Sequence, residues 1–478
     1  MQLTIKKVSK PDQKSNHIHL ITAQKFPSGI DAQAKKAIKA GLDSGLKVVS
    51  FIDNGEVVRA YVCEEKSSSS AQKEALRNIG YHMLQDELRL KTKSATLINH
   101  TGSAKATLLV AEGFGLGHYQ FLELYTDANK RRHSLSRLNV ADADLKKSDL
   151  DDLTALVSSV NWSRDLINRP LSHLTAVDLA NAITEKGKEL GFSVEVLNRK
   201  KIESLKMGGL LSVNKGSIDP PTFTILEWKP KNAKNAKPIV LVGKGVVYDT
   251  GGMSLKPTAN SMDFMKSDMG GAAAMVGTVA AAAAMKLPVH LVSLIPATDN
   301  RPDGNAYVPG DVITMFDGTT VEVKNTDAEG RLLLADALHY AKKYDPELVF
   351  DAATLTGAAV RAVGTYASAV MGTASSKVLA EVKKSGEETY ERTVEFPLWD
   401  EYGAELKSTV ADLSNLGKGE GGQISAGKFL QHFTDYPWVH IDIAGPAFLH
   451  TSQTYRPVGG TGVGVRLLIA FLKNHYKL

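Results

Sequence analysis

Apolar positions along this chain fall into two alternating patterns: short runs apolar at almost every residue, and longer runs with helical spacing. In the first 150 residues, 17–22 (HIHLIT) and 47–65 (KVVSFIDNGEVVRAYVCEE) have the β-rich character of strands, the second folding back as a hairpin around Asp53-Asn54-Gly55. Residues 69–90 follow with helical spacing behind a serine cluster suited to capping, and 106–110 form a further apolar strand candidate. A polar stretch, 141–152 (ADADLKKSDLDD), precedes a helical run at 153–167, which Asn168-Arg169-Pro170 stops because proline cannot continue a helix.

Beyond that point, apolar strands at 238–248, 289–296, 348–353 and 439–443 alternate with helical runs at 270–287 and 332–343. Strands apolar along their whole length, interleaved with helices, predict a mostly parallel sheet covered on both faces. The expectation is an α/β protein of two unequal domains. A smaller N-terminal α/β domain takes 1–150, a connecting helix 151–168, and a larger domain with the mostly parallel, helix-covered central sheet 169–478. In such sheets active sites gather at the carboxyl ends of strands.

Hydrophobic content of 43% with 23% charged residues is that of a globular protein, and no run of 18 apolar residues predicts a membrane span. The alanine-rich run at 270–287 reads as a buried helix. A single cysteine, Cys63, excludes an intrachain disulfide framework and a thiolate zinc cluster. MQLTIKKVSK lacks the apolar core of a secretion signal, so the expected location is the cytoplasm, and the sequons at Asn99 and Asn161 are chance matches. The formal charge is +5, and the short basic clusters at 229–237 and 130–132 have no interleaved aromatics, so nucleic-acid binding is not indicated.

GGQISAGK (421–428) has the glycine and lysine spacing of a phosphate-binding loop, but Phe429 supplies no hydroxyl for magnesium. The glycine-rich stretches beginning at Gly113 and Gly459 lack the acidic residue of a dinucleotide fingerprint and read as turns or close packing. No histidine pair has zinc-helix spacing, and no Gly-x-Ser-x-Gly elbow is present. Polar residues where strands end are more informative. VGKGVVYDTGGMSLKP puts Lys244, Asp249 and Lys256 on or just past the first strand of the larger domain; Asp268 precedes 270–287, and Asp327, Glu329 and Arg331 precede 332–343. Residues two apart on an extended segment share a side, so Asp327 and Glu329 can face one centre with Arg331 at its rim. Taken singly, each carboxylate is more often a helix cap or dipole contact. Four converging carboxylates would repel and carry raised pKa values unless cations intervened, and two divalent ions would balance Asp249, Asp268, Asp327 and Glu329.

On these residues the chain resembles the cytosolic leucyl aminopeptidase family, two-metal hexameric exopeptidases. NTDAEGRL (325–332) is that family's signature octapeptide, and VGKGVVYDTGGMSLKP, MKSDMGGAA, DAATLTGA and HIDIAG are similar to its other catalytic blocks, in the same order. The resemblance runs from about residue 161 to the C-terminus; the first 150 residues match loosely. It implies that Lys244, Asp249, Asp268, Asp327 and Glu329 bind metal. Asp249 and Glu329 would bridge both ions, Asp268 and Lys244 complete the tighter site, and Asp327 serve the more exchangeable one, with Lys244 ligating as the neutral amine. Lys256 and Arg331 match the two catalytic positions. Met265, Thr354, Gly357 and Ala444 match positions lining the pocket for the first side chain, and Lys256 and Asp327 also match substrate-binding positions. One departure is the segment between Lys256 and Asp268, one residue longer than the family's spacing, which leaves Asp263 as a rival ligand.

The function so implied is a metal-dependent aminopeptidase releasing N-terminal amino acids, leucine and other apolar residues preferred, through a water nucleophile bridging two ions. The ions would be zinc or manganese, with magnesium or cobalt accepted in the exchangeable site. Arg331 would hold a bicarbonate, helped by backbone groups near Gly330 and Leu355. Peptides with a free N-terminus are the expected partners, in a homohexamer to which the variable N-terminal domain contributes. Two other classes reuse the residues. Two-metal phosphoester hydrolysis would want phosphate-binding arginines around the centre. A scaffold or DNA-binding role, which some relatives have acquired, would not require all seven polar residues.

Overall fold

The computed structural model describes residues 3–11, 15–25, 27, 30–53, 56–64 and 68–478. The chain divides into two compact units, Met1–Asn161 with Thr451–Pro457, and Trp162–His450 with Val458–Leu478.

The first unit holds six strands: β1 (Thr4–Lys7), β2 (Asn16–Ile21), β3 (Val48–Asp53), β4 (Glu56–Val62), β5 (Ser94–Asn99) and β6 (Arg137–Ala141). They run in the order β1-β6-β5-β2-β4-β3, parallel except for the β3–β4 pair. That antiparallel pair is the predicted hairpin; its turn residues Asn54 and Gly55 lie outside the described residues. The helices are α1 (Ala32–Asp43), α2 (Ser70–Arg89), α3 (Ala104–Gly117), α4 (Ala128–Arg131) and α5 (Lys147–Asn168), and the division between units falls within α5. The serine cluster does cap α2: Ser69 accepts from Gln72 N while the Gln72 side chain accepts from Ser69 N. Residues 106–110, expected as a strand, lie instead inside α3. The cause is close helix packing through glycine. A Cβ on Gly80 of α2 would lie 1.9 Å from Val110 O, and one on Gly113 of α3 would lie 1.9 Å from Arg77 O. The short segment Thr451–Pro457 belongs to this unit through Tyr455 Oη and Arg456 Nη1, which reach Glu74 at 2.8 and 3.0 Å.

The second unit begins with α6 (Ala176–Leu190), α7 (Arg199–Leu205) and α8 (Gly208–Asn214) among β7 (Ser193–Leu197) and β8 (Thr222–Trp228). Next come β9 (Ile239–Gly243), β10 (Gly245–Asp249), α9 (Gly270–Ala284), β11 (Leu291–Asn300), β12 (Val312–Thr314), β13 (Thr320–Glu322), α10 (Gly330–Ala341), β14 (Leu348–Ala353) and α11 (Gly357–Val363). β15 (Ser368–Gly372), β16 (Thr393–Glu395), β17 (Leu413–Ser414) and β18 (Trp438–Asp442) follow. The large sheet runs β16-β15-β18-β14-β9-β11-β8-β7, with β10 also on β11. Its centre, β18-β14-β9-β11, is parallel, while β15–β18 and the β11-β8-β7 edge are antiparallel. β12, β13 and β17 form a small separate sheet.

β9, β11, β14 and β18 are buried at every position, which is why they read as largely apolar runs. α9 is buried from Gly270 to Ala283, as its alanine content requires of a helix packed against the sheet and against the helix Val465–His475. Among the described residues no helix is long and apolar enough to cross a membrane.

Candidate metal centre

The run 238–248, expected as one strand, breaks at Lys244. β9 pairs with β11 as far as Val242, and the chain resumes as β10 beside Ala297 of the same neighbour. At the break, Lys244 N donates to Ala352 O (3.1 Å) and its carbonyl accepts from Ala272 N (2.8 Å), tying it to the ends of β14 and α9. Room for the side chain comes from Gly330, where a Cβ would lie 2.4 Å from Lys244 Cε. β10 ends at Asp249, and Gly251, at φ +84°, turns the chain so that its N–H donates to Asp249 Oδ1 at 2.8 Å. Asp268 sits in the short 3-10 helix Met262–Met269 just before α9. Ahead of it, Asn260 has a positive φ of +58°.

Asp327 and Glu329 share the centre for a different reason from the one their spacing suggests. The segment is not extended: Ala328 N donates back to Asn325 O (3.2 Å), and Glu329 has helical dihedrals at the start of α10. The turn leaves Asp327 partly exposed, with 34% of its side chain accessible, and buries Glu329. Thr326 locks this turn to the Asp249 loop, its Oγ1 donating to Gly251 O at 2.6 Å and accepting from Ser254 N at 2.8 Å.

Asp249, Asp268 and Glu329 each bring one oxygen to within 4.8 Å of the others, and all three are buried. Lys244 Nζ lies 2.9 Å from Asp268 Oδ1, Glu329 Oε1 and Thr354 O. Lys256 Nζ lies 2.9 Å from Asp249 Oδ2 and pairs with Asp327 Oδ1. The electrostatics are those of crowded anions. Burial pushes the Asp268 carboxyl well above the usual carboxylate range despite Lys244, and burial with Asp249 alongside pushes Glu329 up to about 7. Asp327 rises too, from burial first and Asp249 second. Burial alone would lower both lysines, but the surrounding carboxylates outweigh it and hold Lys244 and Lys256 above the ordinary lysine value. The two ammonium groups thus stand where the cluster needs positive charge. Glu329 Oε2 is buried with no hydrogen-bond partner among the described residues. An orphaned carboxylate oxygen, beside two further carboxylates and an amine, fits a divalent cation in size and donor type.

Arg331 is buried. Nη1 donates to Asn415 O at 2.8 Å, and Nε has no partner among the described residues. Burial lowers its pKa to about 10, against Glu329 and Asp442, so it remains a cation at neutral pH. On the neighbouring loop Leu355 N donates to Asp442 Oδ1 at 3.2 Å.

Lys244, Asp249, Lys256, Asp268, Asp327, Glu329 and Arg331 line one cavity of about 710 Å³, together with Met265, Thr354, Gly357 and Ala444. Asp263 is not among them; it is exposed and accepts from Ser261 N at 3.1 Å. Lys428 of the phosphate-loop-like stretch sits in the helix Gly422–Gln431 and bonds Asp400 Oδ1 at 3.1 Å. The arginines lining the cavity are Arg331 and Arg361, not the phosphate-binding cluster that phosphoester chemistry would want.

Three supporting residues escaped sequence reasoning. Asn300, at the end of β11, donates to Asp249 Oδ1 (2.9 Å) and Thr326 O (3.0 Å). Asn415, after β17, accepts from Lys324 N (2.8 Å) and donates to Asn325 O (2.7 Å), holding the loop that carries Asp327. Asp442, ending β18, accepts from Leu355 N, Thr356 Oγ1 (2.7 Å) and Ala444 N (3.1 Å) and so ties two cavity walls together. For Asp442 a signal existed, since it lies next to last in the predicted strand 439–443, within HIDIAG.

The catalytic-domain model of the cytosol aminopeptidase family matches residues 161–469. A probable cytosol aminopeptidase of Chlorobaculum tepidum is 54% identical over 316 residues, covering 66% of this chain but only 62% of that protein, less than two thirds of its length. One from Geobacter sp. (strain M21) is 42% identical over 407 residues, 84% of this chain and 82% of the relative. Among solved structures, the bottromycin maturation enzyme BotP in complex with Mn superposes with a TM-score of 0.85 at 30% identity, over 97% of this chain and 100% of that one. With a family model spanning well over half of its residues, this chain belongs to the cytosol aminopeptidase family.

Proposed function

We propose that this chain is a metal-dependent aminopeptidase that releases N-terminal amino acids from peptides, leucine and other apolar residues foremost. The observation that carries the reading is the convergence of buried Asp249, Asp268 and Glu329 around Lys244 in the lining of a substrate-sized cavity. Family membership supports the reaction class.

Lys244, Asp249, Asp268, Asp327 and Glu329 would hold two divalent cations, zinc or manganese, the latter being the ion in the BotP complex. When bound, the cations supply a nucleophile from water at neutral pH, Lewis acidity at the carbonyl and a seat for the free α-amine. The chain's residues do the rest. Asn300 and Gly251 fix one oxygen of Asp249 and so orient the other toward the centre. Lys256, protonated, donates to the oxyanion that develops on the scissile carbonyl. Arg331 keeps its own proton, so its planar fork positions rather than performs proton transfer, seating a bicarbonate between water and leaving amine. Met265, Thr354, Gly357 and Ala444 form the wall met by the first side chain. A cytoplasmic homohexamer is the assembly we propose on the same family grounds, with 1–150 contributing to oligomerisation and 169–478 to catalysis.

Hydrolysis of a leucine anilide beside its N-acetylated analogue, with and without chelator, tests the reading. The free-amine compound is cleaved and chelator abolishes the activity; cleavage of the blocked compound at a similar rate would overturn it.

A further inference from the structure

The aromatic rings among the described residues lining the cavity are Phe264, Phe448 and His450, and they form one cluster. Phe264 and Phe448 lie nearly parallel, 17° apart with centroids separated by 6.1 Å. His450 stands across both, at 78° to Phe264 (4.6 Å) and 64° to Phe448 (5.7 Å). The phenylalanines are half-buried and the imidazole is exposed, so the cluster keeps ring surface for a ligand. Asn168 fixes both limbs that carry it. Its carbonyl accepts from Lys266 Nζ (2.9 Å) on the 3-10 helix that bears Phe264, and its Oδ1 accepts from Gly460 N (2.9 Å) on β20 (Gly459–Gly460). Gly460 in turn pairs with Phe448 of β19 (Phe448–Leu449). Tyr248 Oη donates to Met262 O (2.9 Å) at the start of the same 3-10 helix.

The rings adjoin the residues proposed to meet the first side chain. Phe264 precedes Met265 in the chain, and Phe448 follows Ala447. A Cβ on Gly270 would lie 3.3 Å from both Ala447 Cβ and Thr354 Cγ2, so Ala447 and Thr354 flank one spot. Thr354 Oγ1 donates to Asp268 Oδ1 at 2.8 Å, which ties that spot to the candidate metal centre. From Asp268, the wall therefore continues through Thr354 and Ala447 to the rings. Resting on the aminopeptidase reading, we infer that Phe264, Phe448 and His450 are specificity-determining residues that receive the ring of an N-terminal aromatic residue. Rings attract one another edge to face or offset face to face, a preference that an aliphatic side chain of equal bulk does not share. Because the cluster is already held in place, little side-chain freedom remains to be lost when a substrate ring joins it.

Phe-Gly-Gly beside cyclohexylalanine-Gly-Gly separates aromaticity from bulk, and Leu-Phe-Gly beside Leu-cyclohexylalanine-Gly moves the same contrast to the second residue. Both pairs are measured with wild type, Phe264→Leu, His450→Leu and His450→Phe. His450 is exposed, so its variants report even if the half-buried Phe264→Leu fails to fold. Wild type prefers the aromatic member of the first pair by about two- to tenfold in kcat/KM, the range of an aromatic contact beyond its buried area. The preference shrinks in Phe264→Leu and His450→Leu, and His450→Phe, which returns a ring, restores it. A preference confined to the second pair, or one equal in wild type and the leucine variants, overturns the inference and leaves the aminopeptidase reading standing. Failure of wild type to cleave any of the four peptides sinks both.

Discussion

Arg331 and Gly330 adjoin Glu329 in sequence yet serve by opposite means, one through a charged fork and the other through having no side chain. Arg331→Ala removes a buried guanidinium whose Nε is unpartnered, without touching a metal-ligating oxygen. Turnover should fall by about 100-fold or more, the range for losing the proton-transfer partner that Arg331 is proposed to seat, with metal content intact by elemental analysis. Lysine at this position should rescue poorly, since a point charge lacks the planar fork; near-normal turnover in the alanine variant would remove the role. Gly330→Ala acts by crowding. Its methyl would stand 2.4 Å from Lys244 Cε, and Lys244 cannot move away while Asp268, Glu329 and Thr354 O grip its ammonium. Overpacking of this kind costs about 1 to 3 kcal/mol, so both thermal stability and metal affinity should drop, and an unchanged manganese titration would contradict the packing.

The pKa directions at this scale fix a further expectation. Glu329 is pushed up to about 7 and Asp268 well above its usual range, so in the metal-free protein part of the cluster carries protons at neutral pH that a cation must displace. Metal affinity should therefore weaken as pH falls through 7 and strengthen above it, with protons released on binding. Calorimetric titration with manganese in two buffers of different ionisation enthalpy reads that release directly, and identical heats would refute it. The carboxylates themselves were legible because each stands in a short block at a strand or helix boundary. Asn300 and Asn415 were not, because asparagine is an ordinary turn residue and their roles arise from contacts such as Asn415 with Asn325, 90 positions away, that exist only once the chain is folded.

Strand order accounts for where the ligands emerge, and it also explains which elements were misread. Five residues at 106–110 are too few to separate a buried strand from a buried helix, and the deciding feature, the glycine contact with α2, is tertiary. The interruption at Lys244 was hidden because apolar residues flank it on both sides; it became visible only through the shifted pairing of β9 and β10 on β11. Within the same sheet, β14 and β18 carry a buried ionisable pair. His440 Nδ1 is 2.6 Å from Asp351, whose other oxygen accepts from Trp438 Nε1 at 2.7 Å. Burial would lower the His440 pKa, but Asp351 outweighs it and holds the imidazolium above its ordinary value. A raised folded-state pKa contributes stability fully present below the unfolded value near 6.5 and lost as pH rises through the folded value. Urea unfolding from pH 6 to 9 should show this decline, and His440→Asn should flatten it while lowering stability by roughly 3 to 5 kcal/mol at the acidic end, as loss of one buried partner does. A wild-type profile rising over that range would contradict the assignment.

At the scale of the molecule, the proposed ligands come from residues 244 to 329, and only the folded second unit gathers them. A cation that binds the native state and not the unfolded chain stabilises by an amount set by its concentration relative to Kd, about 2.7 kcal/mol at a hundredfold excess. For a unit of this size each kcal/mol raises Tm by roughly 2 to 4 °C, so chelator-treated protein should gain several degrees on addition of manganese or zinc. The gain should be local in origin. Amide exchange should slow around Lys244 to Gly252, Asp268 to Ala272 and Asn325 to Leu333, where the backbone carries the ligands, and remain unchanged across β1 to β6, which carry none. Asp249→Asn, which keeps the side chain's size but removes one charge from the cluster, should lose most of the metal-dependent shift. Equal slowing of exchange in both units, or a shift undiminished in that variant, would show that the cations act elsewhere than at this centre.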